Sequence, residues 1–210
     1  MKYVKKFEKF TDSTLKTNID AYNRYYNRYT NRSGKVAWEA KDSQENNFNL
    51  VSEHIKSGDS VLDYGCGLGD LISHLEKKKI QISDYLGADI NQKYIEDAKK
   101  HYSDFNFKLI TDIDQLSGKW DKVCAVGVFT WHIGKEEFIE SIRKLIDLSE
   151  KEVLLTFLYD DDVDFESPNY WESNYRYYNE ELFENLFPDL IDNFEFHNSY
   201  RTILVRIKKN

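Results

Sequence analysis

The sequence predicts an α/β fold: a doubly wound sheet of seven strands, mostly parallel, ending in a C-terminal antiparallel hairpin and preceded by N-terminal helices. Three observations carry that prediction. First, an apolar run ending in Asp63 leads into glycines at 65, 67 and 69, and an amphipathic series (Leu68, Leu71, Ile72, Leu75) follows, which is a strand, a tight turn and a helix start. Second, short apolar runs alternate with helical patterns through residue 158, as in a sheet wound by crossover helices. Third, two final β-rich runs near 191–197 and 200–208 are separated only by Asn198-Ser199, a hairpin spacing.

The chain has 210 residues, 40% of them apolar, enough for one sizeable core. We divide it into an N-terminal helical cap, 1–40, and a ligand-binding domain, 41–210. Net charge is −8 but uneven: residues 1–41 carry +6 and residues 42–210 carry −14. An acidic body argues against bulk nucleic-acid or anionic-membrane binding. Cys66 and Cys124 lie in apolar contexts without a framework of pairs, so they read as reduced thiols of a cytoplasmic protein. No apolar run reaches membrane-spanning length, and Met1-Lys-Tyr-Val-Lys-Lys6 leads into no signal-like apolar stretch.

In chain order, Leu15, Ile19, Tyr22, Tyr26 and Tyr29 recur at helical spacing and predict a helix over 12–30, ended by Asn31-Arg-Ser-Gly34. Arg24, Arg28 and Arg32, with Lys35 beyond, lie on another face. They form either a solvated basic face or a funnel for an anionic substrate. Asp42 and Glu45 have capping-box spacing for a second helix that buries Phe48, Val51 and Ile55. The strand before Asp63 follows, and its charges select a ligand. Asp63 and Asp70 beside a helix N-terminus would repel a pyrophosphate and suit a ligand with a cationic end, such as S-adenosylmethionine.

Further strands are predicted at 85–89, ending in Asp89, at 105–110, at 120–127 and at 153–158, with an amphipathic helix over 135–148. Asp89 stands where a carboxylate accepts from both hydroxyls of a ribose. A short helix over 179–187 is closed by Pro188. The segment 159–178 is long, acidic at first and then aromatic, which is the composition of a lid or binding loop. Asp160, Asp161 and Asp162 lack ligand-grade spacing, and no metal is expected.

Asp63-Tyr-Gly65-Cys-Gly67-Leu-Gly69 resembles motif I of the class I, Rossmann-like, S-adenosylmethionine-dependent methyltransferases, and the ordered series of elements over 38–208 resembles their sheet. The resemblance implies S-adenosylmethionine as cofactor and S-adenosylhomocysteine as product. Its binding set would be Asp63, Gly65, Cys66, Gly67 and Gly69, the motif II acid Asp89 with Ile90, Asp112 and Ile113 at the adenine, and Gly127 and Val128 at the end of strand four. Asp114 competes with Asp112 for its place. Trp38 through Phe48 is similar to a lead-in that folds over the cofactor in some small methyltransferases.

The implied activity is methyl transfer to oxygen or nitrogen of a small molecule. Trp38, Phe129, Trp131, Tyr170, Trp171, Tyr175 and Arg176 are the candidate acceptor wall. His132 is the candidate general base, since the intrinsic pKa of an imidazole lies near neutrality, and Tyr178 is a second catalytic candidate. Each has a bland reading as a loop or core residue, and methyl transfer can proceed by alignment alone. The motifs of DNA exocyclic-amine and cytosine-C5 methylation are absent. The alternatives are an RNA or protein methyltransferase, an aminopropyl transferase, and an inactive methyltransferase-like module.

Overall fold

The computed structural model describes residues 12–38, 41–130, 133–167, 169–172, 176–199 and 201–209. Two helices, α1 (Asp12–Arg28) and the short α2 (Arg32–Lys35), precede α3 (Lys41–Ser52). The sheet follows as β1 (Ser60–Tyr64), α4 (Asp70–Lys77), β2 (Asp84–Asp89), α5 (Gln92–His101), β3 (Asn106–Leu109), β4 (Trp120–Val126), α6 (Lys135–Leu148) and β5 (Ser149–Leu158). It closes with α7 (Glu180–Leu186) and the hairpin β6 (Phe194–Ser199) and β7 (Thr202–Lys208). The strand order is β3-β2-β1-β4-β5-β7-β6, with β7 antiparallel to both neighbours and every other pairing parallel.

Period-two alternation builds the two sides of the sheet. Leu62, Val123, Ala125, Val153 and Leu155 face a core of α6 and α7 residues, among them Phe138, Ile142, Leu145 and Phe183. Their neighbours Val61, Cys124 and Leu154 face the opposite core, with Val51 of α3, Leu71 and Leu75 of α4, and Ile95 and Ala98 of α5. Strands buried on both faces explain the near-continuous apolar runs. Side-chain caps set helix starts: Asn91 accepts from Lys93 N and Tyr94 N at α5, and Asn179 accepts from Leu182 N at α7.

Three boundaries differ from the sequence reading. β5 begins at Ser149, earlier than 153, because its charged start is neutralised across the sheet: Glu152 pairs with Lys122 and Arg206, and Lys151 with Asp59 and Asp121. The hairpin turns after Ser199 rather than at Asn198-Ser199, since Ser199 pairs with Thr202 and Asn198 with Ile203. That register sets Phe194 opposite Ile207 and Phe196 opposite Val205, and the apolar match outweighs the turn propensity of Asn198-Ser199. Helix α1 ends at Arg28, and its most buried residues are Asn18 and Ala21, whereas Tyr29 is exposed. Among the described residues no helix is long and apolar enough to cross a membrane.

Candidate active site

The sheet winds outward in both directions from the neighbours β1 and β4, and a crevice opens beyond the carboxyl ends of the strands at such a reversal. A cavity of about 450 Å³ occupies it. Its floor is Asp63 to Gly67 after β1, Ala88 to Ile90 after β2, and Val126 to Thr130 after β4. Asn18 and Tyr22 of α1, Val36 to Trp38, and Ser43 to Phe48 of α3 close over it, apart from Glu45.

Two glycines are required by close approach. Gly65 has φ +73°, and a Cβ there would lie 2.4 Å from Val128 Cγ2. Gly127 has φ +68°, and a Cβ would lie 2.9 Å from the Trp38 ring. Both are left-handed positions that glycine alone adopts without strain. The backbone after β1 and the loop after β4 therefore approach each other to form one cradle.

Two buried carboxylates face this cavity. Asp63 is 3% exposed and accepts from the Tyr85 hydroxyl at 2.7 Å. Burial, with Asp89 close by, raises its pKa to about 7. Asp89 accepts from Gly67 N at 2.9 Å through one oxygen and from Asn91 N at 2.8 Å through the other. Burial raises it to about 6 against those two hydrogen bonds. Each Asp89 oxygen keeps a lone pair for a further donor. Cys66 also lines the cavity, and burial pushes its thiol well up, so it is not a thiolate.

The third carboxylate of the sequence argument belongs elsewhere. Asp70 does not line the cavity, because Arg32 Nε donates to it at 2.5 Å and the Tyr102 hydroxyl at 3.4 Å. Arg32 also reaches Asp97 at 3.1 Å and the Leu68 carbonyl at 2.6 Å, while Lys35 Nζ lies 3.7 Å from Asp97. The Tyr26 hydroxyl donates to Asp97 and the Tyr94 hydroxyl to the Lys35 carbonyl. These bonds clasp α1 and α2 onto α4 and α5. They use up two of the four cations proposed as a substrate funnel, and Arg24 and Arg28 are exposed away from the cavity.

Of the other sequence candidates, Trp38, Ile90, Gly127, Val128 and Phe129 line the cavity. Gly69 does not: it is the N-cap of α4, at φ +78°. Asp112 and Ile113 also lie outside it. The Asp112 carboxylate accepts from Asp114 N at 2.8 Å and caps a short 3-10 turn, and Ile110 lines the cavity from this strand instead.

Tyr178 is a core residue. It is fully buried, its hydroxyl donates to the Phe129 carbonyl at 2.6 Å, and its ring packs on Phe157 and Phe138. Tyr170, Trp171 and Arg176 pack against the core and one another and do not wall the cavity. A Tyr159–Tyr178 bridge joins the ends of the segment 159–178, and Trp171 packs on Phe138. Arg176 is 2% exposed over the Trp171 ring, with Nη2 donating to the Trp171 carbonyl, and the Tyr170 hydroxyl donates to the Tyr177 carbonyl at 2.7 Å. Trp131, His132 and Tyr175 lie outside the described residues.

Sequence reasoning missed Tyr177, Ser199, Arg201 and Thr202, which line the cavity from the segment before α7 and from the β6–β7 turn. A signal existed in the topology: in an antiparallel hairpin beside β5, the turn lies at the carboxyl end of β5.

Residues 55–199 match a family model described as a methyltransferase domain. The chain is 34% identical over 98 residues to the uncharacterized protein RP028 of Rickettsia prowazekii (strain Madrid E), a match covering 41% of this chain and 38% of that protein. The chain thus spans well under half the length of that curated relative. Two solved structures share the fold. One is magnesium protoporphyrin IX methyltransferase (ChlM) from Synechocystis PCC 6803 with bound SAH, with a TM-score of 0.65 and 21% identity, covering 95% of this chain and 97% of that one. The other is the 1,6-didemethyltoxoflavin-N1-methyltransferase of Burkholderia thailandensis with bound 1,6-didemethyltoxoflavin and S-adenosylhomocysteine, with a TM-score of 0.66 and 13% identity, covering 94% and 88%.

Proposed function

The chain belongs to the methyltransferase-domain family, class I by its seven-stranded Rossmann-like sheet, and on that premise we propose that it transfers a methyl group from S-adenosylmethionine to oxygen or nitrogen of a small-molecule acceptor. One observation carries the reading: two buried carboxylates, Asp63 and Asp89, end adjacent parallel strands and face one cavity across a glycine turn. Such a site suits a ligand with a cationic group at one end and a diol at the other, and it disfavours a phosphate.

The residues divide the ligand between them. Asp89 uses its remaining lone pairs on the ribose hydroxyls. Asp63, oriented by Tyr85, faces the amino acid end, where its ionised form balances the ammonium. Ile90 and Ile110 supply apolar walls for the base. Gly65 and Gly127 admit the ligand against bare backbone. When bound, S-adenosylmethionine supplies a methyl carbon on a sulfonium, a leaving group that departs neutral and needs no proton. The chain then has to align an acceptor lone pair with that carbon, exclude water, and let the acceptor's proton depart. Phe129, Val128 and Trp38 exclude water at the β4 end of the cavity.

An acceptor must fit beneath α1, Val36 to Trp38 and α3, which supports a small molecule over a macromolecular surface. Two buried, unpaired thiols, Cys66 and Cys124, support a reducing, cytoplasmic setting. The test is calorimetric titration of S-adenosylhomocysteine into the wild-type protein and the Asp89→Ala variant. We expect micromolar binding, weakened by about a hundredfold in the variant as two charge-assisted hydrogen bonds are lost. No binding to the wild-type protein would overturn the reading and leave a methyltransferase-like fold with another role.

A further inference from the structure

The cavity extends past the cofactor residues to the ends of β4, β5 and β7, where Thr130, Leu158, Tyr177, Ser199, Arg201 and Thr202 line it. These residues differ in charge from the cofactor half. Asp63 and Asp89 are the only carboxylates among the described lining residues, and Arg201 is the only cation. From Thr130 to Thr202 the described lining holds hydroxyls, apolar side chains and one guanidinium.

Arg201 is held at its backbone, and its exposed side chain rests on Tyr177. Its carbonyl accepts from Tyr159 N at 2.8 Å, and Thr202 pairs with Leu158, so the backbone of Arg201 and Thr202 is fixed against the end of β5. Its Nη2 donates to the Tyr177 hydroxyl at 3.2 Å, and its Cζ stands 5.7 Å from the Tyr177 ring centroid. Tyr177 is anchored in turn through its carbonyl by Tyr170. Among the described residues no carboxylate stands within ion-pair distance of Arg201, in contrast to Arg32, Arg143 and Arg206, each of which is paired with acids. Arg201 is exposed at the open wall of the cavity, and a guanidinium there, steadied on one side by Tyr177 and with unused donors, is a fork for a carboxylate or phosphate group.

We propose that Arg201, with Tyr177, binds an anionic group on the acceptor, so that the acceptor class is small molecules bearing a carboxylate or phosphate. This rests on the methyl-transfer reading of the same cavity. The geometry sets a size as well. β4 and β7 flank β5, so the β4 loop and the β6–β7 turn lie about two strand spacings apart, roughly 10 Å, which a ring and its anionic substituent span. Bound this way, the acceptor's anion is anchored at Arg201 and its reacting atom is directed back toward the β4 loop.

The test uses the full chain saturated with S-adenosylhomocysteine and titrated with benzoate, phenyl phosphate and benzamide, followed by ligand-observed NMR. The expected result is that one or both anions bind at least about tenfold more tightly than the isosteric neutral amide, and the two anion arms separate carboxylate from phosphate recognition. Arg201→Gln should reduce that preference to under about twofold, Arg201→Lys should retain part of it, and both should keep S-adenosylhomocysteine affinity within about twofold of wild type. Equal binding of anion and amide, binding of none of the three probes, or an unchanged preference in Arg201→Gln would overturn the proposal. The same titrations on protein without S-adenosylhomocysteine separate the two readings. Failure of the cofactor to bind strikes the methyl-transfer reading, whereas loss of anion preference strikes only Arg201.

Discussion

The two halves of the cavity are built in different ways. On the cofactor side, Asp63 to Gly67 is one continuous segment. Its ligand-facing groups are largely backbone, and it is braced by β2: the Tyr85 hydroxyl donates to Asp63, Gly65 N and Cys66 N donate to the Ala88 carbonyl, and Gly67 N donates to Asp89. On the acceptor side, Thr130, Tyr177 and Arg201 come from three separate segments, and side chains make the surface. A half made of backbone tolerates almost no substitution but fixes one ligand. A half made of side chains on loops changes specificity one residue at a time. Variants on the cofactor side should therefore abolish function, and variants on the acceptor side should retune it.

The sharpest break is expected at Gly65. Gly65→Val combines a left-handed φ with a Cβ 2.4 Å from Val128, so the cradle must open. S-adenosylhomocysteine affinity should fall by about a hundredfold or more, measured by calorimetry, with circular dichroism showing that the sheet persists. Near-native affinity would mean that the turn is not the cofactor cradle.

Next in size is a pH effect confined to the same half. Burial raises Asp63 to about 7 in the free protein, and an ammonium binds its ionised form. Affinity should fall below about pH 7, approaching tenfold per unit, and the dependence should flatten in Asp63→Asn. Stability of the free protein runs the other way. A carboxyl raised above its unfolded value near 3.9 contributes fully below about pH 4 and loses that contribution as pH rises through about 7. Asp89, raised to about 6, acts in the same direction. The thermal shift produced by S-adenosylhomocysteine should therefore grow from about pH 5.5 to about pH 8. A flat profile in the wild type would remove Asp63 from the ammonium contact.

This contrast also explains what the sequence made legible. The series of elements follows from alternating runs, the terminal hairpin from two β-rich runs, and the turn after β1 from glycine spacing, because all are local patterns. Asp70 was misassigned because its direction is decided by Arg32, 38 residues away in sequence. Tyr170, Trp171 and Arg176 read as an acceptor wall yet lie outside the cavity, because periodicity does not distinguish a ring against Phe138 from a ring against a ligand. Arg201 was hidden by a register: with the turn at 198–199 it reads as a strand residue, and pairing of Ser199 with Thr202 moves it into the turn.

A smaller effect is expected at the clasp, which positions Val36 and Trp38 against Gly67 and Gly127. Arg32→Met removes the bonds to Asp70, Asp97 and the Leu68 carbonyl. Val36 and Trp38, just beyond α2, should then spend less time over the cavity, and affinity scales with that closed fraction. We expect a loss of about three- to tenfold in S-adenosylhomocysteine affinity, a faster off-rate, and a fall in Tm of about 2–4 °C. An unchanged off-rate would mean that the N-terminal helices do not gate the site.

The smallest functional effect is expected at Tyr178, and it separates a core role from a catalytic one. Its hydroxyl is buried against the Phe129 carbonyl, and burial holds its pKa well up, so it neither touches the cavity nor exchanges a proton near neutrality. Tyr178→Phe leaves that carbonyl without its donor, which costs about 1–2 kcal/mol and lowers Tm by about 2–4 °C. S-adenosylhomocysteine affinity should stay within about twofold of wild type, since the Phe129 backbone remains packed by Phe138 and Phe157. Turnover of any acceptor, measured as labelled methyl incorporation, should change by no more than about the same factor. A large loss of turnover at unchanged stability would return Tyr178 to the reacting atoms. It would also require the wall between core and cavity to move on acceptor binding.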